Sequence, residues 1–97
     1  MKLIFLDAAQ ADLEQTIDYY DEQRLGLGLE FAEEVEQALV RIEHYPEAWS
    51  QLSERIRRCL LNRFPHGIIY QVRSENIIIV AIQNFRREPD SWRSRVR

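Results

Sequence analysis

The 97-residue sequence holds one cysteine, three glycines, three prolines and a single lysine. Cys59, alone, forms no intrachain disulfide, and CxxC-type metal or redox motifs are excluded. That cysteine usage points to a reducing compartment. Long apolar runs are missing as well. The first segment, MKLIFLDAAQ, has too few apolar residues before Asp7 for a secretion signal or a membrane span. The expectation is a cytoplasmic protein with no membrane contact. Only two histidines occur, His44 and His66, and neither has Cys or carboxylate neighbours at ligand spacing. No metal and no cofactor is therefore expected. Glycine is also sparse. Gly26 and Gly28 in LGLGL lack a third glycine and a following Lys-Ser/Thr, so they read as a helix–helix turn rather than a phosphate loop.

What is present is charge, unevenly placed. Residues 1–49 carry three basic residues (Lys2, Arg24, Arg41) against twelve acidic ones, a net −9. Residues 50–97 carry ten Arg against Glu54, Glu75, Glu88 and Asp90, a net +6. Such asymmetry suggests a face that meets something anionic. Arg in place of Lys supplies a planar fork of donors suited to phosphate or carboxylate. The length is that of one domain, residues 1–97.

The pattern predicts an α+β fold in the order β-α-α-β-β-β. Lys2–Leu6 reads as a strand. Asp7 is placed to cap a helix, with Gln10 as its capping-box partner. Ala9, Leu13, Ile17 and Tyr20 recur at helical spacing, with Asp12, Glu14, Asp18, Asp21 and Glu22 on the wet side, and the helix ends near Arg24. A second helix, from about Leu29 to Tyr45, buries Phe31, Val35, Ala38, Leu39 and Ile42 and turns Glu30, Glu33, Glu34, Glu36, Arg41 and Glu43 outward. Pro46 stops it. The two form an αα-hairpin with an acidic outer face, unsuited to direct duplex-DNA binding. A loop over Glu47–Ser53 holds Trp49, read as a lid over the helix–sheet edge. Three strands follow as an antiparallel meander: Arg55–Asn62, Gly67–Arg73 and Ile77–Gln83. The apolar run from Ile77 to Val80 marks a central strand buried on both faces, with the Trp92 segment covering part of the far side. The rest is a short basic tail, Phe85 to Arg97, with a short helix opening at Pro89-Asp90-Ser91-Trp92 near Glu88.

The segments IDYYDEQ, LGLGLEF and EVEQAL, then IRRCLLNRFPHGIIYQV, IIIVAI and FRREPDSWRSR, resemble in that order the ParE-like branch of the RelE/ParE toxins. The resemblance covers nearly the whole chain. It implies a small antiparallel sheet with two helices on one side, and the toxin half of a type II toxin–antitoxin (plasmid-stabilisation) module, held inactive by a cognate antitoxin. ParE-like members poison DNA gyrase. RelE-like members cut mRNA on the ribosome. The same fold hosts both, so fold alone does not decide between them. A binding module that keeps only its antitoxin partner is a third reading.

RNA cleavage needs groups that move protons and stabilise the phosphorane. Carried over from RelE-like toxins, Arg57 falls among their basic strand residues and Arg86 (or Arg87) matches their Arg after the last strand. Their Arg before the hydrophobic-Tyr-Gln stretch falls on Gly67, and their C-terminal Tyr falls on Trp92, which has no ionisable proton. His66, in the turn before the middle strand, is the remaining weak proton-transfer candidate. Arg57, His66 and Arg86 are thus the catalytic candidates. This incomplete set favours a non-enzymatic toxin that inhibits gyrase or replication. Its target-binding candidates are Arg57, Arg63, Arg86, Arg87, Trp92, Arg93 and Arg95, with Arg97 beyond them, because Arg and Trp are enriched in binding hot spots. Tyr19, Tyr20 and Tyr70 read as core and rim aromatics, and His44 as a partner for its helix dipole. The antitoxin is expected to be acidic where it meets the Arg strands and apolar over the helix hairpin.

Overall fold

β-Branched and aromatic runs form the strands and two amphipathic stretches form the helices. The computed structural model describes residues 1–87 and 89–96. The elements are β1 (Lys2–Phe5), α1 (Asp7–Gln23), α2 (Leu27–His44), β2 (Ser50–Gln51), β3 (Ile56–Leu60), β4 (His66–Arg73), β5 (Asn76–Asn84) and a 3₁₀ helix (Ser91–Arg95). The five strands lie in the order β1-β5-β4-β3-β2. β3, β4 and β5 form the expected antiparallel meander. β1 joins it in parallel beside β5, and β2 extends the far edge. The sequence pattern predicts a loop over the whole Glu47–Ser53 segment. Ser50 and Gln51 instead pair with Arg58 and Arg57, a ladder too short to leave an alternation in sequence.

The helix hairpin turns where the glycines require it. Gly26 sits at φ 90°, a left-handed conformation that L side chains rarely adopt. Gly28 serves a different need. A Cβ there would stand 2.5 Å from the Ile17 carbonyl oxygen and 2.7 Å from Asp21 Cγ. The bare backbone lets α2 touch α1, and the Gly28 N–H donates to Asp21 Oδ1 at 2.8 Å. The capping box expected at α1 is not formed. Leu6 occupies the N-cap, Asp7 stands in the first turn, and no side chain caps it. Gln10 Nε2 donates to Glu14 instead. Asp7 still places negative charge at the positive end of the helix dipole. At the end of α2, His44 Nδ1 lies 2.9 Å from the Val40 carbonyl.

Glu34 is a correction to the helical wheel. Helical spacing puts it on the wet face of α2, yet it is 8% exposed. Its Oε2 accepts the backbone N–H of Asn62 and, at 3.0 Å, that of Arg63. The carboxylate satisfies two amides where the chain leaves β3 and they have no strand partner.

β5 lies between β1 and β4 and is buried on both faces. Ile77, Ile79 and Ile82 face the helices with Phe31, Val35 and Tyr70. Val80 and Ala81 face the other way, with Ile56, Ile69 and Trp92. The pairing slips between Ile69 and Tyr70, so that Ala81 opposes one and Ile79 the other. Val80 is the extra residue of this β-bulge, which is why two consecutive residues share a face. Trp92, 2% exposed, supplies the cover expected for the far side. Its indole N–H donates to the Pro89 carbonyl at 3.1 Å. Tyr70 is wholly buried and donates its hydroxyl to the Pro46 carbonyl at 2.6 Å. Burial pushes its phenol up to about 12. Trp49 packs half-buried against the helix-side core, with Arg41 over its ring.

A candidate binding cleft at the open edge of β5

β1 pairs only with Asn76 to Ile79 of β5. Its last bond runs from the Leu6 N–H to the Ile79 carbonyl, and the chain then departs into α1. Among the described residues, no strand lies beside the β1-side edge of β5 from Val80 onward. An ion pair closes the start of this edge. The Ile82 N–H donates to Asp12 Oδ2 at 3.0 Å, and Arg95 Nη1 donates to the Val80 carbonyl at 3.0 Å. The Arg95 fork also meets Asp12 at 2.6 and 3.1 Å. A strand's lost partners are thus replaced by two side chains, one from α1 and one from the 3₁₀ helix.

Beside this closure opens a cleft of about 620 Å³. α1 contributes Gln15, Thr16, Tyr19 and Tyr20 to one wall. The end of β5 and the tail contribute Gln83, Asn84, Arg86 and Arg87 to the other. His66, 5% exposed, is part of the lining. Asp12 and Arg95 neutralise each other. Among the described residues, Arg86 and Arg87 have no carboxylate within ion-pair distance. The cleft therefore presents two exposed guanidinium groups whose charge no carboxylate among the described residues compensates, a setting for anions.

The sequence pattern puts His66 in an exposed turn. It is instead the first residue of β4 and is packed edge-on against Phe31 and Tyr20. Burial, and then the nearby Arg87 charge, pull its pKa down to about 4. The imidazole is neutral at physiological pH, and its Nδ1 is buried with no hydrogen-bond partner among the described residues. Burial likewise raises the Tyr20 phenol, with Tyr19 adding to the rise. Tyr19 itself is 47% exposed at the rim and available for contact.

A sequence profile described as the ParE toxin of the type II toxin–antitoxin system parDE matches residues 3–89. The chain belongs to the ParE toxin family. Among solved structures, a chromosomal ParDE toxin–antitoxin system from P. aeruginosa shares the fold, with a TM-score of 0.69 at 19% identity, covering 86% of this chain and 94% of that one. No curated protein sequence matches.

Within this ParE-family fold, the residues singled out from sequence do not form one patch. Arg86, Arg87, Arg95 and His66 meet at the cleft. Arg57 lies on the helix-side face, where its Nη1 donates to the Trp49 carbonyl at 2.9 Å. Arg63 pairs with Glu30 at 2.6 Å near the start of α2. That contact, with Arg24 second, holds the Glu30 carboxyl below its usual range. Arg93 pairs with Asp90 at 3.2 Å and lies over the Trp92 ring. Trp92 is buried under the sheet and presents no free surface. Arg97 lies outside the described residues, as does Glu88.

Gly67 is filled rather than empty space. A Cβ there would stand 2.9 Å from Arg58 Cγ and 3.0 Å from Cδ. The Arg58 stem crosses the glycine and sets its guanidinium 5.8 Å from the Phe85 ring centre. Arg57 stands out in the sequence, whereas Arg58, Tyr19, Gln83 and Asp12 do not. Strand alternation carries the one available signal: Arg57 and Arg58 must face opposite sides of the sheet. Among the described residues, no group of three or more His, Cys, Asp or Glu is placed to hold a metal ion. No described helix is long and apolar enough to cross a membrane.

Proposed function

We propose that this ParE-family toxin acts in the cytoplasm as a non-enzymatic inhibitor of DNA gyrase, is neutralised by a cognate antitoxin, and uses the Arg86/Arg87 cleft as its working surface. One observation carries the reading: among the described residues, the cleft offers charge without an exposed proton-transfer pair. Arg86 and Arg87 are exposed, whereas His66 is buried and neutral and its Nδ1 does not reach solvent. Gly67 and Trp92 occupy the positions where RelE-like toxins carry an Arg and a Tyr. An exposed pair of guanidinium groups beside Tyr19 suits docking on a protein surface.

Induced expression followed by RNA sequencing tests this. Intact mRNA with filamentation and a DNA-damage response is expected. Codon-phased cuts in mRNA would establish ribosome-dependent cleavage instead. A short upstream reading frame with a DNA-binding N-terminus and an acidic, amphipathic C-terminus is expected beside the gene.

A further inference from the structure

We propose that the cleft at the open edge of β5 binds a free nucleoside monophosphate, with its phosphate on Arg86 and Arg87 and its base against Tyr19. Such a ligand is distinct from the protein target proposed above and would compete with it for the same two Arg.

The turn after β5 builds the anion end. Asn84 accepts the Arg86 N–H on its Oδ1 at 3.0 Å and the Arg87 N–H on its carbonyl at 3.2 Å. Two consecutive Arg are thereby held on one short turn, both exposed and both in the cleft lining. The Arg87 charge reaches His66 and Tyr20 deeper in the cleft. A carboxylate has two oxygens, which one guanidinium fork saturates. A phosphate monoester has three terminal oxygens and about two negative charges, which suit two forks. A backbone donor faces the same way. The Ile82 N–H leaves the sheet edge for Asp12. Asn84, two residues further along β5, directs its own N–H to that same edge.

Aromatic rings line the rest. Tyr19, Tyr20 and His66 stand edge-on in a row, with ring centres 5.2 and 5.8 Å apart. Tyr20 and His66 are packed against Phe31 behind them. Tyr19 is 47% exposed and propped on Tyr20, so it offers a stacking surface that needs little ordering. His66, 5% exposed, adds an uncharged imidazole whose Nδ1 has no partner among the described residues. A ligand that reaches this ring meets hydrogen-bonding capacity the chain leaves unused. The side-chain amides of Gln15 and Asn84 lie on the same walls and suit the polar edge of a base.

The surroundings select a small ligand. The Asp12–Arg95 pair closes one end. The volume of about 620 Å³ falls among small-molecule sites, which span roughly 300–1,000 Å³. Glu14, Asp18 and Glu22 stand exposed on α1, the helix that forms one wall. A nucleic-acid strand carries a charge on every nucleotide and meets this acidic flank beyond the two Arg. A mononucleotide carries its charge at one end, where the Arg are, and a neutral base at the other.

The test titrates the full chain with adenosine 5′-monophosphate, followed by ¹H–¹⁵N NMR. Saturable shifts are expected at Tyr19, His66, Asn84, Arg86 and Arg87. Adenosine, which lacks the phosphate, and inorganic phosphate, which lacks the base, are each expected to bind at least tenfold more weakly. Arg86→Gln/Arg87→Gln, at an unchanged unfolding midpoint, is expected to weaken nucleotide binding at least tenfold. Tyr19→Ala is expected to weaken the nucleotide and to leave inorganic phosphate unchanged. Arg73→Gln, exposed at the other end of β4 from His66, is expected to alter neither. No loss in the double variant overturns the proposal. Inorganic phosphate as tight as the nucleotide overturns it too, leaving an anion site only. Phenyl phosphate as tight as the nucleotide would make the site one for any phosphorylated ring, and a tighter hexathymidylate one for a nucleic-acid strand; either result contradicts the proposal. Binding is read on the purified chain alone, so it stands or falls apart from gyrase inhibition.

Discussion

Asp12 and Arg95, 83 positions apart in sequence, bind each other and together satisfy the backbone of β5 where β1 stops beside it. This pair ties the first helix to the last turn and sets one boundary of the cleft. Solvent reaches 26% of the Arg95 side chain and 20% of the Asp12 side chain. Arg95→Ala is therefore expected to cost about 2 kcal/mol, below the roughly 3–5 kcal/mol of a broken, fully buried pair. Asp12→Ala should cost at least as much, because the Ile82 amide loses its acceptor as well. Urea unfolding of the purified variants measures both. A loss under about 0.5 kcal/mol for either would mean the contact is only a surface pair.

Gly28→Ala should be among the most damaging single-methyl substitutions in the chain. The new Cβ collides with the Ile17 carbonyl, which belongs to backbone and cannot rotate away. The helices must separate, at a cost of about 2 kcal/mol or more. At Gly26 nothing lies within 4 Å, but φ is +90°. Gly26→Ala is expected to cost about 1 kcal/mol from backbone strain alone. Thermal unfolding of the two variants should rank them in that order.

Glu34 offers a cleaner separation of charge from shape. Its carboxylate accepts two amides from the turn after β3. Glu34→Ala leaves both without a partner and should cost about 2–4 kcal/mol; Glu34→Gln retains one acceptor oxygen and should cost about half as much. Denaturant titration checks the ratio. Equal losses would show that the negative charge, not the acceptor, holds the turn.

Much of this architecture was legible in the sequence. Helical spacing found both helices, and β-branched runs found the meander and the doubly buried β5. Trp92 as a cover for the far side followed from Ile77 to Val80 being apolar on both faces. What stayed hidden has a common physical cause. Glu34 and Asp12 are charged, and a helical wheel sends charge to water unless a distant amide is known to be waiting. The bulge at Val80 is a matter of cross-strand register, which a single strand's pattern does not encode. The cleft draws on α1, the ends of β4 and β5, and the tail, so its residues become neighbours only once β1 is seen to stop at Phe5. His66 looked like a turn residue because Pro65 precedes it, yet it opens a strand.

Stability should fall with acid over a window set by His66. Its folded pKa of about 4 lies below the usual 6.5, so the unfolded chain binds a proton that the folded chain refuses. Stability is complete above pH 6.5 and is lost as pH drops toward 4, by up to about 3 kcal/mol. His66→Gln should flatten the curve between roughly pH 6.5 and 5, above the range where most carboxylates titrate. Urea midpoints across that range, for both proteins, give the comparison. A slope that survives the substitution would assign the acid sensitivity elsewhere.

Under the proposed function, Arg86 and Arg87 are the surface that reaches the target. Gyrase supercoiling with purified chain, alongside Arg86→Ala/Arg87→Ala, tests it most directly. The wild-type chain is expected to inhibit supercoiling, and the double variant, folded to the same unfolding midpoint, to be at least tenfold weaker. Undiminished inhibition by the double variant, or none by the wild-type chain, would contradict it.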